Sequence, residues 1–284
     1  MEWVEATIEG AGGLSLSTRR SEVPEARARI VMVHGYGEYC DRYAELTADL
    51  NARGFSCYLF DLRGHGRSDG ARGTIRRWDE YLDDLARFID RVREWSGHEP
   101  EVLFGHSLGG LIAASYALRR EHAFRHLVLS APFFGLAIPV PPAKLILAKI
   151  MSRVYPGLCL ATEIDPFLLT HDRDICTLYR DDPLVHKVAN ARFLTEVLAA
   201  QADCLERADR LSAQGFLLMY GTDDRLVSVE ANEAFFAKVR IEDREIIPYE
   251  GMYHEIFNEI DRSRVYDDLG RWLMARFGGD RPEN

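Results

Sequence analysis

Long apolar runs, cysteine pairs and basic clusters are all missing from this chain of 284 residues. Its best candidate for a membrane span, residues 138–150, is interrupted by Pro139, Pro141, Pro142 and Lys144, so no transmembrane helix is expected. The five cysteines (Cys40, Cys57, Cys159, Cys176 and Cys204) are odd in number and show no CxxC spacing. That pattern speaks against a disulfide framework or a zinc site and for a reducing, cytoplasmic setting. The first residues, Met1-Glu2-Trp3-Val4-Glu5, have neither a basic nor an apolar region, so no signal peptide is expected. A net charge of −10 without any basic run argues against nucleic acid as a partner. Repeats and low-complexity segments are also missing. What remains, 47% hydrophobic and 28% charged residues, suits a globular chain with a sizeable core.

Strand and helix signals alternate along most of the chain. Residues 3–18 alternate apolar and polar around Gly10–Gly13, as an opening hairpin does, and 19–27 reads as a polar connector. Compact apolar strands are expected at 28–33, 56–60, 101–104, 126–130, 216–220 and 245–249. Helices are expected at 43–52, 78–95, 111–118, 191–211, 229–239 and 262–277. Such alternation implies an α/β fold: a mostly parallel sheet with helices on both faces. From 133 to 190 it stops. No strand signal is visible there, six prolines (139, 141, 142, 156, 166, 183) intervene, and the main periodic piece is 143–154. The division expected is a core of 1–132 and 191–284 with an inserted, mostly helical cap at 133–190. The apolar face of 143–154 is expected to pack on the core, with contact to a lipid surface as the alternative.

The segment Gly105-His106-Ser107-Leu108-Gly109-Gly110 lies between an apolar strand and a helix-forming run. Gly-x-Ser-x-Gly in that context forms a nucleophile elbow. Gly105 and Gly109 let strand and helix approach, Ser107 projects from a strained turn, and the Leu108 N–H points at developing negative charge. A serine needs a base and a carboxylate to orient it. Among nine histidines, His254 follows the last strand of the sheet, where sites of open α/β sheets lie. His106 is expected to pack away from Ser107, and His34 and His65 to organise loops. His126 opens a strand at the far end, and His98, His122, His171 and His186 fall on the surface or the cap. For the carboxylate, Asp224 is preferred to its neighbour Asp223, because it precedes an Arg-apolar pair that suits an inward side chain. Asp61 precedes the serine in the chain and suits a turn-bonding role. A second oxyanion donor is expected from the Tyr36 N–H, since Gly35 and Gly37 allow the backbone to approach a substrate.

Five motifs together resemble the monoacylglycerol lipase and lysophospholipase branch of the α/β-hydrolases. They are His34-Gly35-x-Gly37-Glu38 with Arg42-Tyr43, Asp61-x-x-Gly64-His65-Gly66-x-Ser68, Gly105-His106-Ser107-x-Gly109-Gly110, Asp224-Arg225, and Tyr249-Glu250-Gly251-x-Tyr253-His254-Glu255. Asp182-Pro183-Leu184 also matches that branch. The resemblance implies the α/β-hydrolase fold, a Ser107–Asp224–His254 triad, oxyanion donors at Tyr36 and Leu108, and a lid over an acyl-chain tunnel. It implies hydrolysis of a small lipid ester, monoacylglycerol foremost, through an acyl-enzyme, with no cofactor or metal. A lysophospholipase or broad carboxylesterase is the alternative, and a serine aminopeptidase or a non-catalytic binding protein stands further off. The resemblance leaves room for transient contact of the cap with a membrane surface.

Overall fold

Strand β5 (Val102–His106) is buried along its whole length and marks the middle of the molecule. A computed structural model describes residues 2–138, 141–155, 157, 159–162 and 164–279. Pro139 and Pro156 therefore lie outside the described residues. Eight strands form one sheet in the order β1-β2-β4-β3-β5-β6-β9-β10. They are β1 (Val4–Glu9), β2 (Ser15–Ser21), β3 (Ala28–Val33), β4 (Phe55–Phe60), β6 (His126–Ser130), β9 (Gly215–Gly221) and β10 (Arg244–Tyr249), with β5. Pairings from β4 to β10 are parallel; β1 with β2 and β2 with β4 are antiparallel. Pro248 is tolerated in β10 because that strand is at the edge of the sheet.

Strand periodicity divides the core into two layers. Val31, Val33, Leu103, Phe216 and Leu218 pack under helices α2 (Asp79–Ser96), α3 (Leu108–Arg119), α6 (Ala191–Arg207) and α7 (Val229–Lys238). Ile30, Met32, Val102, Phe104, Leu217 and Met219 pack on the other face, under α1 (Ala44–Ala52) and α8 (Arg262–Phe277). No described helix is long and apolar enough to cross a membrane.

Three sequence expectations change. Residues 19–21 continue β2 instead of starting a connector, because Ser21 pairs with Cys57 of β4. Arg19 is buried there against Asp41 at 2.9 Å. The 133–190 stretch contains strands after all: β7 (Cys159–Ala161) and β8 (Val188–Asn190) pair antiparallel. Three residues are too few to show a period of two. Helix α4 (Pro142–Val154) turns its small residues Ala148 and Ser152 inward, and Ser152 O accepts from Arg192 of α6. Its large apolar residues Ile146, Leu147, Ile150 and Val154 face outward instead of packing on the core. Helix α5 (Arg173–Asp181) is capped by Asp172, and α6 by Asn190, whose side chains accept first-turn N–H groups.

Candidate active site

The carboxyl ends of β3, β5, β9 and β10 deliver loops to one end of the sheet, where an open α/β sheet places its ligands. Between β5 and α3, Ser107 adopts φ 53° and ψ −118°, a conformation disfavoured for a residue with a side chain. The surroundings hold it: the Ser107 N–H donates to Ser130 O at 3.0 Å, and Ser107 O accepts from Phe133 N–H at 2.9 Å. The turn closes only with glycines. A Cβ on Gly105 would collide with the Gly109 carbonyl, and one on Gly109 with the carbonyls of Val33 and His34. Leu108 opens α3, so its N–H has no acceptor one turn earlier in the helix.

His254 and Asp224 are buried and in contact: Nδ1 of His254 lies 2.7 Å from Asp224 Oδ2. Asp224 Oδ1 accepts the N–H groups of Leu226 and Val227 at 2.9 Å, which fixes the carboxylate, whereas the neighbouring Asp223 is exposed. Burial favours the protonated acid, but the imidazolium and those two N–H groups outweigh it and keep Asp224 below the usual range. Burial equally opposes a charged His254; the carboxylates of Asp224, Glu255 and Glu38 outweigh it and raise its pKa. With Nδ1 occupied, Nε2 is the nitrogen left to exchange a proton.

The other histidines divide by surroundings. His34 donates from Nδ1 to Gly35 O at 2.8 Å and accepts Leu62 N–H on Nε2 at 2.9 Å, so it does organise its loop. His65 donates to Arg63 O at 3.0 Å, and Asp61 binds the N–H groups of Cys40 and Arg67. His106 does not simply pack away: its ring centroid lies 4.9 Å from that of His254, with Nδ1 beside Ser130 Oγ at 3.1 Å. Burial and the neighbouring His254 push its pKa down to about 4. His186, expected on the surface or the cap, is buried against Tyr36 and His65, with ring centroids 5.0 and 4.4 Å away. No local pattern marks it; its place depends on the return of the chain to the sheet.

Sequence reasoning also missed a buried ion network. Arg42 binds Glu255 through two 2.6 Å hydrogen bonds and Glu38 at 2.7 Å. Glu38 also accepts from Gly35 N–H at 2.5 Å and the Tyr43 hydroxyl at 2.7 Å. Glu255, desolvated but pinned by Arg42, is held well below the usual carboxylate range. The signal was present, since all three residues lie within motifs quoted above. The network ties the Tyr36 loop to the His254 loop.

Ser107, His254, Tyr36 and Gly35 line a cavity of about 400 Å³. Its walls are chiefly apolar, with Phe133, Leu136, Leu169, Phe193, Leu194 and Val197. Gly37 adopts φ 76° beside the cavity, with His186 O too close for any side chain. Among the described residues no group of His, Cys, Asp and Glu has the arrangement to hold a metal ion.

A family model described as serine aminopeptidase, S33, matches residues 24–261. The chain is similar to a monoacylglycerol lipase of Mycolicibacterium smegmatis, with 30% identity over 252 residues, 88% of this chain and 89% of that protein. It is similar to phospholipase YtpA of Bacillus subtilis, with 30% identity over 240 residues, 84% of this chain and 92% of that protein. Among solved structures it is similar to the monoacylglycerol lipase of Paleococcus ferrophilus, with a TM-score of 0.82 and 33% identity over 97% of this chain and 99% of that one.

Proposed function

Because the chain belongs to the serine aminopeptidase S33 family of α/β-hydrolases, we propose that it hydrolyses monoacylglycerols to fatty acid and glycerol through an acyl-enzyme on Ser107. One observation carries this reading: a largely apolar cavity opens on a strained serine, and the carboxylates described in its wall are already engaged by a guanidinium. Glu38 and Glu255 are both bound to Arg42. A substrate ammonium would find no free carboxylate among the described lining residues, so the aminopeptidase chemistry in the family's description is disfavoured. An acyl chain, in contrast, gains about 0.8 kcal/mol per methylene buried there. The lipase names of the relatives and the 33% identical structure support the same substrate.

In this mechanism His254 Nε2 takes the Ser107 proton as Oγ attacks the ester carbonyl. The oxyanion receives the N–H groups of Tyr36 and Leu108, each worth about 10²–10³ in kcat. The tetrahedral intermediate collapses, and His254 returns its proton to the departing glycerol oxygen. Water then attacks the acyl-enzyme, gives a proton to His254, and the fatty acid leaves as Ser107 is reprotonated. Residues 133–190 serve as the cap over this chemistry. The outward face of α4, together with Ile138 and Tyr155, meets the lipid surface from which the substrate comes.

The test is Ser107→Ala. Hydrolysis of monoacylglycerol and of p-nitrophenyl butyrate should both disappear with an unchanged melting temperature. Residual turnover near that of the wild type would sink the assignment, and faster cleavage of amino-acid amides than of esters would overturn the substrate class.

A further inference from the structure

Loop 34–38 is fastened at its ends by the α/β core. His34 accepts from Leu62 N–H, and Glu38 accepts from the Gly35 N–H and the Tyr43 hydroxyl. The middle of the loop is fastened to something else. The Tyr36 hydroxyl donates to Val188 O at 2.6 Å, 152 positions away in the chain. One residue on, Gly37 O accepts from His186 N–H at 3.1 Å. The Tyr36 ring is wedged edge-on against His186 and tilted against Phe193, with centroids 5.0 and 5.3 Å away. Val188 begins β8, whose partner β7 belongs to the same excursion from the sheet. The residue with its backbone N–H at the proposed oxyanion hole is thus anchored, through its side chain, to the return leg of the cap.

We propose that the Tyr36 hydroxyl is a positioning group that couples the cap to the oxyanion hole. Its N–H is aimed at the oxyanion while residues 186–188 hold the phenol, and it loses that aim when they shift. The inference rests on the assignment of the Tyr36 N–H as an oxyanion donor. Two features make the coupling effective. Gly35 and Gly37 flank Tyr36, so its backbone has little stiffness of its own. The peptide that carries the Tyr36 N–H is held on one side by His34, which donates to Gly35 O at 2.8 Å, and on the other by what the Tyr36 side chain grips. Burial pushes the phenol pKa up to about 12, so the hydroxyl remains a donor throughout the range in which His254 titrates. Small errors in the placement of a donor are costly, because about 1 Å can remove 10²-fold in rate.

Tyr36→Phe keeps the ring and removes the grip. The expected result is a fall in kcat of about 10- to 100-fold for long- and short-chain esters alike, with KM within about twofold. A trifluoromethyl ketone, attacked by Ser107 Oγ with transfer of the serine proton to His254, places an alkoxide in the oxyanion hole. Its affinity should fall by the same factor, while the pH midpoint of kcat/KM stays where it was. An unchanged kcat, or a rise in KM alone, would overturn the coupling and leave Tyr36 as a lining residue. Activity surviving in Ser107→Ala, where the tether is intact, would instead defeat the underlying reading. A second measurement avoids any folding defect in the variant: hydrogen exchange at the His186 amide of the wild type, with and without a phosphonate on Ser107. Slower exchange in the adduct supports the tether, and equal exchange overturns it.

Discussion

At the scale of single residues, the charge on His254, the proposed base, is expected to set the pH dependence of the site. Its pKa is raised above 6.5 by Asp224, Glu255 and Glu38, which outweigh burial. Only the neutral ring can take the Ser107 proton, so kcat/KM is expected to rise with pH through a midpoint above 6.5. The ring gains its proton, and the enzyme loses activity, as pH falls through that midpoint. Glu255→Gln should move the midpoint down toward 6.5, because one of the carboxylates that favour the imidazolium is gone. A rate profile flat between pH 5 and 9 would remove His254 from the role of base. The partners of this residue differ in how legible they are in sequence. Asp224 could be singled out from Asp223 because it precedes an Arg-apolar pair that suits an inward side chain, and its carboxylate does lie beside His254. The Arg42 ion network was harder to see, because a charged residue is ordinarily read as exposed and its burial depends in part on Glu255, 213 positions away.

At the scale of elements, the strands buried on both faces were readable as short continuous apolar runs, and the helices by their apolar stripes. The hairpin end at Arg19 and the short pair β7–β8 were not. Their residues take strand geometry from a neighbour, β4 in one case and each other in the second, and not from local pattern. The elbow is the reverse case, fully specified by two glycines. Gly109→Ala places a methyl against the carbonyls of Val33 and His34. It should cost about 1–3 kcal/mol or more by overpacking and displace the loop that carries Tyr36. We expect a lowered melting temperature and a kcat reduced by at least about 10²-fold. Gly157→Ala, which meets nothing within 4 Å, serves as the neutral comparison. If Gly109→Ala matched wild type on both measures, the close approach of β3 and α3 would not matter to function.

At the scale of the whole molecule, the α/β core exposes few large apolar side chains, while α4 presents four to solvent. Ile146 and Ile150 lie one turn apart on that face, 61% and 52% exposed. Replacing both with Glu should weaken sedimentation with phosphatidylcholine vesicles by at least about tenfold, since each isoleucine contributes about 1.5–3 kcal/mol when buried. Hydrolysis of a soluble short-chain ester should be unaffected, because neither residue lines the cavity. Equal vesicle binding by variant and wild type would overturn the lipid-facing role proposed for α4.

The chain order of the site has a consequence in time. Ser107 leads His254 by 147 positions (254 − 107), and residues 133–190, the proposed cap, are made between them. At a synthesis rate of about 5–20 residues per second, the proposed nucleophile is made on the order of ten seconds before its proposed base. Strand β10, which leads to His254, docks on β9 at the edge of the sheet and is the last strand of the sheet in chain order. During that interval β3, β5 and β6, which frame the elbow, are already synthesised and the proposed base is not. On the proposed triad, the nascent polypeptide therefore carries a serine still without its base, and hydrolytic competence requires the final strand.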